Sequence, residues 1–385
     1  MLTAATWVFV AACLAAGWFL AGYPLVLRLW PARGRLQAKR LGHTPTVSVL
    51  MAVHNGAEFL DAKLRNLLSL HYPAELLQIF VLSDGSTDET ESLARRYAGR
   101  GVELVSLPRG GKAAALNAGL QRATGEVVFF CDVRQQIDPQ ALRHLVANFA
   151  DPQVGAVTGE LRILKPDGAV GEQADMDLYW RYELWVRAKH SAIWSLFNTT
   201  GCLYAMRRAL CRPLPPGTLG DDAVLPLGAY LQGYRIVFEP EAIAYDYATQ
   251  SGTDWKRRMR TLGGMWQTYR IYPRLLLPHR MWLHFFSHKL GRLLLPWCLL
   301  TAAIASVFLP ASPWKWAILA GELTFLLAAM ADLLVPRAMP GKRLISLCRT
   351  FLVMNLAALF SMKVFFVSPL SLWGTTRVDR GKPQG

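Results

Sequence analysis

At three points in the chain polar side chains follow directly on apolar runs, which is where chemistry can be mounted on a sheet. Glu126–Gln136 reads EVVFFCDVRQQ: five apolar residues, Val127 to Cys131, stop at Asp132, and Arg134 and Gln135 follow. TVSVLMAV (46–53) stops at His54 and Asn55, and LQIFVL (77–82) runs into Asp84 of SDGSTDE. Open parallel α/β sheets bind ligands outside the carboxyl ends of their strands. An acid there can hold a metal ion or a substrate hydroxyl, and it can equally cap a turn. Asp221 and Asp222 lie side by side ahead of an apolar helix. Two such carboxylates can serve as acid–base machinery, or as an N-cap and a first-turn acid. Lys112, after Gly110-Gly111, falls at a helix start, where the dipole prefers anions; a phosphate bound there would resolve the mismatch. The Walker spacing is absent.

The elements that must position these groups follow from periodicity. Residues 46–53, 77–82, 102–107 and 127–131 read as strands, and the first and fourth have the unbroken apolar character of strands buried on both faces. Between them, Glu58–Leu70 has helical spacing, Ser86 and Glu89 read as a capping box for a helix through Ala98, and Lys112 to Arg122 forms the third helix. Asp138-Pro139 is expected to open another helix as N-cap and first helical residue. Short connections between alternating strands and helices imply right-handed crossovers and a parallel sheet. Gly155–Leu164 reads as a further strand, and Ala174–Ala192 as a helix carrying Tyr179, Trp180, Tyr182 and Trp185. Aromatic faces of that kind suit sugar stacking or core packing.

Across its 385 residues the chain is 52% hydrophobic with mean hydropathy +0.22, and its apolar, charge-free runs sit at the two ends. Leu2 to Leu27 is long enough to cross a bilayer and reads as a retained anchor. Arg28, Arg33, Arg35, Lys39 and Arg40 follow, which places the next segment in the cytoplasm and the N-terminus outside. The expected organisation is a membrane helix (1–27), a basic cytoplasmic linker (28–43), a catalytic domain (44–254), amphipathic interfacial helices (255–292), a C-terminal membrane region (293–367) and a basic tail (368–385). Leu293–Leu309 and Trp316–Val335 are the clearest later spans, whereas Leu344–Val367 either crosses or bends back. Glu322 and Asp332 are costly in lipid and should face partners. Net charge is +15, with Lys and Arg crowded beside the apolar runs. That favours anionic lipid headgroups and anionic substrates, and no nucleic-acid recognition signature is present. Six dispersed cysteines without a CxxC pair suit a reducing compartment.

The order SVLMAVHN, VLSDGSTDET, GGKAAALNAGL, VVFFCDVRQ resembles the nucleotide-sugar half of a family 2 glycosyltransferase, the family of membrane-bound cellulose, hyaluronan and poly-N-acetylglucosamine synthases. The blocks YWRYE (179–183), GCLYAMRR (201–208), GDDAVLP (220–226), GYRIVFEP (233–240) and RRMRTLGGMWQ (257–267) agree, so the resemblance covers about residues 44–290. It implies an α/β, A-type (Rossmann-like) nucleotide-sugar-binding domain joined to transmembrane helices. The implied activity is inverting sugar transfer from a UDP-sugar to a glycan or lipid-linked acceptor at the cytoplasmic face of the cell inner membrane, with export or assembly partners conceivable. Asp222 falls on the position of the general base, Asp221 on that of the preceding acid, and Gly220 replaces a threonine. Asp84 would meet the uridine end, with His54, Asn55 and Lys112 nearby; Gly201 and Trp180 belong to the substrate-binding blocks. The acidic Asp-x-Asp pattern maps onto Asp132-Val133-Arg134, so Asp132 alone is left to hold Mg²⁺ or Mn²⁺ and Arg134 brings a charge of its own. The Gln-x-x-Arg-Trp motif falls on Arg257–Thr261: Arg260 keeps the arginine that stabilises the diphosphate, Arg257 replaces glutamine and Thr261 the tryptophan that stacks on a growing chain. The rival reading is a non-catalytic scaffold or transport subunit that retains the fold.

Overall fold

The computed structural model describes residues 3–31, 41–164, 178–247, 251–336, 339 and 341–368; of residues 178, 179, 251–254 and 256 it describes the backbone only. The chain divides into two compact units, one built mainly from residues 31–254 and one from residues 1–30, 255–269 and 273–367.

The first unit is organised around an eight-stranded sheet with order β3-β2-β1-β4-β7-β6-β8-β5. Its strands are β1 (Val47–Val53), β2 (Leu77–Asp84), β3 (Val102–Leu107), β4 (Val127–Cys131), β5 (Gln136–Ile137), β6 (Val154–Leu164), β7 (Leu203–Arg207) and β8 (Arg235–Tyr247). β1, β2, β3 and β4 pair in parallel, as the alternation with helices predicts. The wholly parallel sheet needs correction, because β7 inserts antiparallel between β4 and β6, and β5 pairs antiparallel with β8. β1 and β4 have no exposed face, which is why they contain runs of Val, Leu and Phe where a half-solvated strand would alternate. Register fixes the site: Val53 pairs with Ser83 and Leu50 with Phe130, so His54, Asp84 and Asp132 all leave the sheet at the same end.

Helices α2 (Ala57–Leu68), α3 (Thr90–Arg95), α4 (Lys112–Arg122), α5 (Ala141–Ala147), α6 (Leu178–Ile193) and α7 (Asp221–Leu231) complete this unit. Leu60, Leu64 and Leu67 of α2 are fully buried in the core that β1, β2 and β4 share. Two expected helix starts differ. Ser86 forms no capping box: its hydroxyl accepts the Asn55 N–H at 3.1 Å, and Asp88 instead receives the Thr90 N–H at 3.0 Å, ahead of a helix that ends at Arg95. Asp138 begins a turn, accepting the Gln140 N–H at 2.9 Å, and α5 opens at Ala141. Of the helix expected at 174–192, residues 174–177 lie outside the described residues, as do 32–40 of the linker and 369–385 of the tail.

The second unit holds four helices long and apolar enough to cross a membrane: α1 (Ala4–Leu29), α9 (Trp282–Val307), α10 (Pro313–Ala331) and α11 (Lys342–Phe365). α8 (Ser251–Ile271) precedes α9. The boundary expected at residue 293 shifts, since the aromatic and basic residues from Trp282 onward are the first turns of α9 itself. α1 packs on α9 through Phe19 and Phe286, with ring centroids 6.0 Å apart, and the Trp18 indole donates to Ser287 Oγ at 3.0 Å. Both acids flagged as costly have partners. Ser306 donates to Glu322 at 3.0 Å, while Asp332 receives Lys342 at 2.7 Å, Ser346 at 2.6 Å and Arg349 at 3.0 Å. The last interaction also accounts for Arg349 within α11.

Candidate active site

Asp84 ends β2 and is only 3% exposed. Its carboxylate accepts the N–H groups of Gly110 at 2.7 Å and Gly111 at 2.9 Å and pairs with Arg109, so it folds the 109–111 loop against the strand end. Two glycines make this approach possible. Gly85 has φ of +62°, and a Cβ on it would sit 2.8 Å from the Arg109 backbone nitrogen; Gly111 has φ of +87°. Arg109, which the sequence reading passed over, is the exposed end of this arrangement. His54 donates Nδ1–H to the Asp84 carbonyl at 2.8 Å, and Asn55, itself at φ +50°, receives the Thr87 N–H at 2.8 Å. His54 and Asn55 therefore brace the SDGSTDE turn while remaining exposed.

The helix start at Lys112 carries its own counter-ions. Lys112 Nζ lies 3.0 Å from Asp132 Oδ1 and 3.1 Å from Asp221 Oδ1, bridging the end of β4 to the start of α7. Burial alone would pull its pKa down, but the charges of Asp132 and Asp221 prevail and hold it above the ordinary lysine range. Asp221 is fixed from the other side by the Tyr204 hydroxyl at 2.9 Å, and the Tyr204 ring stacks on Phe130 at 4.5 Å. Asp221 is thus buried and held on both sides, by Lys112 and by Tyr204, partners that sequence adjacency to Asp222 gave no means of seeing.

Asp222 is placed differently. Its main-chain carbonyl is held by the Thr199 N–H and hydroxyl at 2.8 and 2.9 Å, while no side chain among the described residues hydrogen-bonds to its carboxylate. Gly201 borders it: a Cβ there would lie 3.4 Å from Asp222 Oδ2, so glycine leaves that oxygen room. Burial, then the negative charge of Asp221, pushes Asp222 up to about 6, with Lys112 and Arg187 pulling the other way. Arg187, a second residue missed in the sequence, projects from α6 and donates to Thr200 Oγ1 at 2.7 Å, with Glu183 one turn away at 3.6 Å. The i, i+4 spacing of Glu183 and Arg187 was its only legible signal. A carboxylate fixed by its backbone, open at its oxygens and poised near neutrality has the attributes of a general base.

Arg134 is engaged within the protein. It forms a two-pronged ion pair with Asp246 of β8, to which Gln135 also donates at 2.8 Å. Among the described residues nothing hydrogen-bonds to Asp132 Oδ2, and the Asp132 side chain is 38% exposed. Among the described residues no three His, Cys, Asp or Glu side chains gather as a preformed metal site. What fits a cation here is the exposed Asp132 carboxylate, a hard oxygen donor that the oxygens of a bound diphosphate would supplement. Trp180 is half-buried with its indole N–H buried and unpartnered, and Tyr182 pairs with Trp185 at 5.9 Å. The side chain of Tyr179 lies outside the described residues. Arg257 and Arg260 are carried by α8 in the other unit.

The family model for glycosyl transferase family 2 matches residues 48–214, the span from β1 to the segment before α7. Over that span, which is less than half of the chain, the sequence is similar to a family 2 glycosyltransferase domain. Curated relatives of the chain include a beta-monoglucosyldiacylglycerol synthase of Nostoc sp., 29% identical over 72% of this chain and 61% of the relative. A poly-beta-1,6-N-acetyl-D-glucosamine synthase of Staphylococcus aureus is 27% identical over 57% of this chain and 54% of its own length. The chain thus spans little more than half the length of these curated relatives. Among solved structures, a mannosyltransferase from Pyrobaculum calidifontis in complex with GDP-Man and Mn²⁺ superposes with a TM-score of 0.74 at 24% identity, covering 93% of this chain and 98% of that one. At that identity the likeness concerns the fold.

Proposed function

We propose that this glycosyltransferase moves a sugar from a UDP-sugar to a hydroxyl of a lipid-linked acceptor, with inversion, at the cytoplasmic face of the cell inner membrane. The observation that carries the reading is Asp222: an unencumbered carboxylate with a pKa pushed up to about 6, beside the Lys112–Asp132 bridge. Asp222 takes the proton of the acceptor hydroxyl as its oxygen attacks the anomeric carbon. UDP departs from the opposite face, so the anomeric configuration inverts. Lys112 orients Asp132 and adds positive charge near the departing diphosphate. The loop folded by Asp84, with Arg109 at its rim, faces the nucleoside end.

Asp132 is the residue to hold Mg²⁺ or Mn²⁺, together with the diphosphate oxygens and water. Such an ion, when bound, supplies neutralisation of the charge left on the phosphates. The nucleotide-sugar complex of the archaeal mannosyltransferase supports this reading, and its GDP-linked donor makes the base of the nucleotide the first thing to test.

The glycolipid synthase among the relatives supports a lipid-linked acceptor, as does Thr261, which lacks the flat ring that would stack on a growing polymer. Arg28 and the cations after it support the cytoplasmic placement. A screen of UDP- and GDP-sugars against membranes containing the protein, read as nucleotide release and as product size and anomeric configuration, tests the proposal. A UDP-sugar-dependent, single-sugar β-linked product from an α-linked donor is expected. Long polymer, retained configuration or no turnover with any donor would each refute it.

A further inference from the structure

The inward face of α2 reads Leu60, Lys63, Leu64, Leu67, and all four side chains are fully buried. A lysine in that series breaks the helix's apolar pattern, and a buried ammonium destabilises a fold unless something compensates. Burial does pull its pKa down. Lys63 Nζ donates to the main-chain carbonyl of Gln135 at 2.7 Å, across 72 positions of sequence. The titratable groups that bear on it electrostatically are Cys131, Cys202 and Asp132; both thiols are pushed up by burial and stay neutral.

Gln135 closes the segment that starts at Asp132. On its other side that segment is tied to Asp246 through Arg134 and through the Gln135 amide. Lys63 therefore anchors from within the core, at Gln135, the same segment that β8 anchors at the edge through Arg134 and Gln135. Methionine, of similar length and shape, would fill the same space without a buried charge but would leave the Gln135 carbonyl without its donor, so what the lysine adds beyond packing is its hold on Gln135.

We propose that Lys63 is a positioning residue of the transfer site, holding the Asp132–Gln135 segment so that Asp132 meets the donor's diphosphate in register. The inference rests on the reading of Asp132 given above. Displacements of about 1 Å in such a group can cost on the order of a hundredfold in rate.

The test compares full-length K63M, K63R and D132A in detergent with wild type, measuring thermal unfolding, UDP affinity and kcat/KM for the UDP-sugar that the donor screen identifies. K63M should stay folded, since removal of the buried charge offsets the Gln135 carbonyl left without its donor, yet bind UDP and turn over about tenfold or more less efficiently, with K63R recovering most of the loss because it retains the charge and the donor. Wild-type UDP binding and turnover in K63M would overturn the inference. So would loss of fold in K63M, since Lys63 would then be structural, and so would K63R failing alongside a stable K63M. A D132A enzyme that transfers normally is a separate result: it removes the underlying reading of Asp132, whatever K63M does.

Discussion

Arg134 and Asp246 face each other as a fork on a fork, Nε to Oδ1 at 3.1 Å and Nη2 to Oδ2 at 2.6 Å, between the turn after β4 and the last residues of β8. The cation that replaces a familiar acid is thus neutralised inside the protein, with Asp246 only 5% exposed. Removing one member of a buried pair leaves the other unpaired and typically costs about 3 kcal/mol or more. R134A should therefore melt well below wild type, and R134A/D246N should recover much of the difference. Activity remaining in R134A should still respond to Mg²⁺ or Mn²⁺ and fall in EDTA. A stable R134A enzyme that has lost transfer would instead give Arg134 a direct part in the chemistry.

The pH profile should have an acid limb near 6. A base works ionised, so turnover falls as pH drops through the value to which burial and Asp221 push Asp222. Arg187 is one of the two cations opposing that push. R187M should move the limb to higher pH, while R187K, which keeps the charge, should leave it near the wild-type position. A limb that stays in place in R187M would separate it from Asp222.

Among the described residues four helices have spanning length, and the expectation is that each of them crosses. If Arg28 and the cations after it are inside, and Arg337 before α11 with Lys342 and Arg343 in its first turn are also inside, four crossings would put residue 385 on the same side as the N-terminus. A tag at residue 385 should be digested by protease added to intact spheroplasts. Protection of that tag, with an N-terminal tag digested, would mean that α11 does not cross.

What was legible in the sequence was what short range decides. Buried strands betray themselves by unbroken apolar runs, and β1 to β4 stand where EVVFFCDVRQQ and its counterparts put them. The insertion of β7 between β4 and β6 left no such trace, because neighbour choice in a sheet is a long-range matter and GCLYAMRR reads alike in either direction of pairing. The acids of the site were recognisable, but their partners were not: Tyr204 fixes Asp221, and Asp246 takes Arg134 from 112 positions away. Ser86 misled for the same reason, since a local capping box and a distant Asn55 compete for one hydroxyl and Asn55 holds it. Lys63 looked like one more polar residue of an amphipathic helix until its carbonyl partner was in view.

The most direct test of the whole account is sugar transfer by D222N, measured alongside its UDP affinity and melting temperature. A carboxyl whose pKa is raised in the folded state lends stability when protonated and loses it as pH rises through about 6, so at neutral pH the ionised Asp222 is a net cost to folding. The amide cannot ionise. D222N should accordingly melt at or above wild type at pH 7.5, bind UDP nearly normally, and transfer sugar slower by roughly two to four orders of magnitude. Transfer within a few-fold of wild type would contradict the assignment of Asp222 as the base, and with it the proposed mechanism.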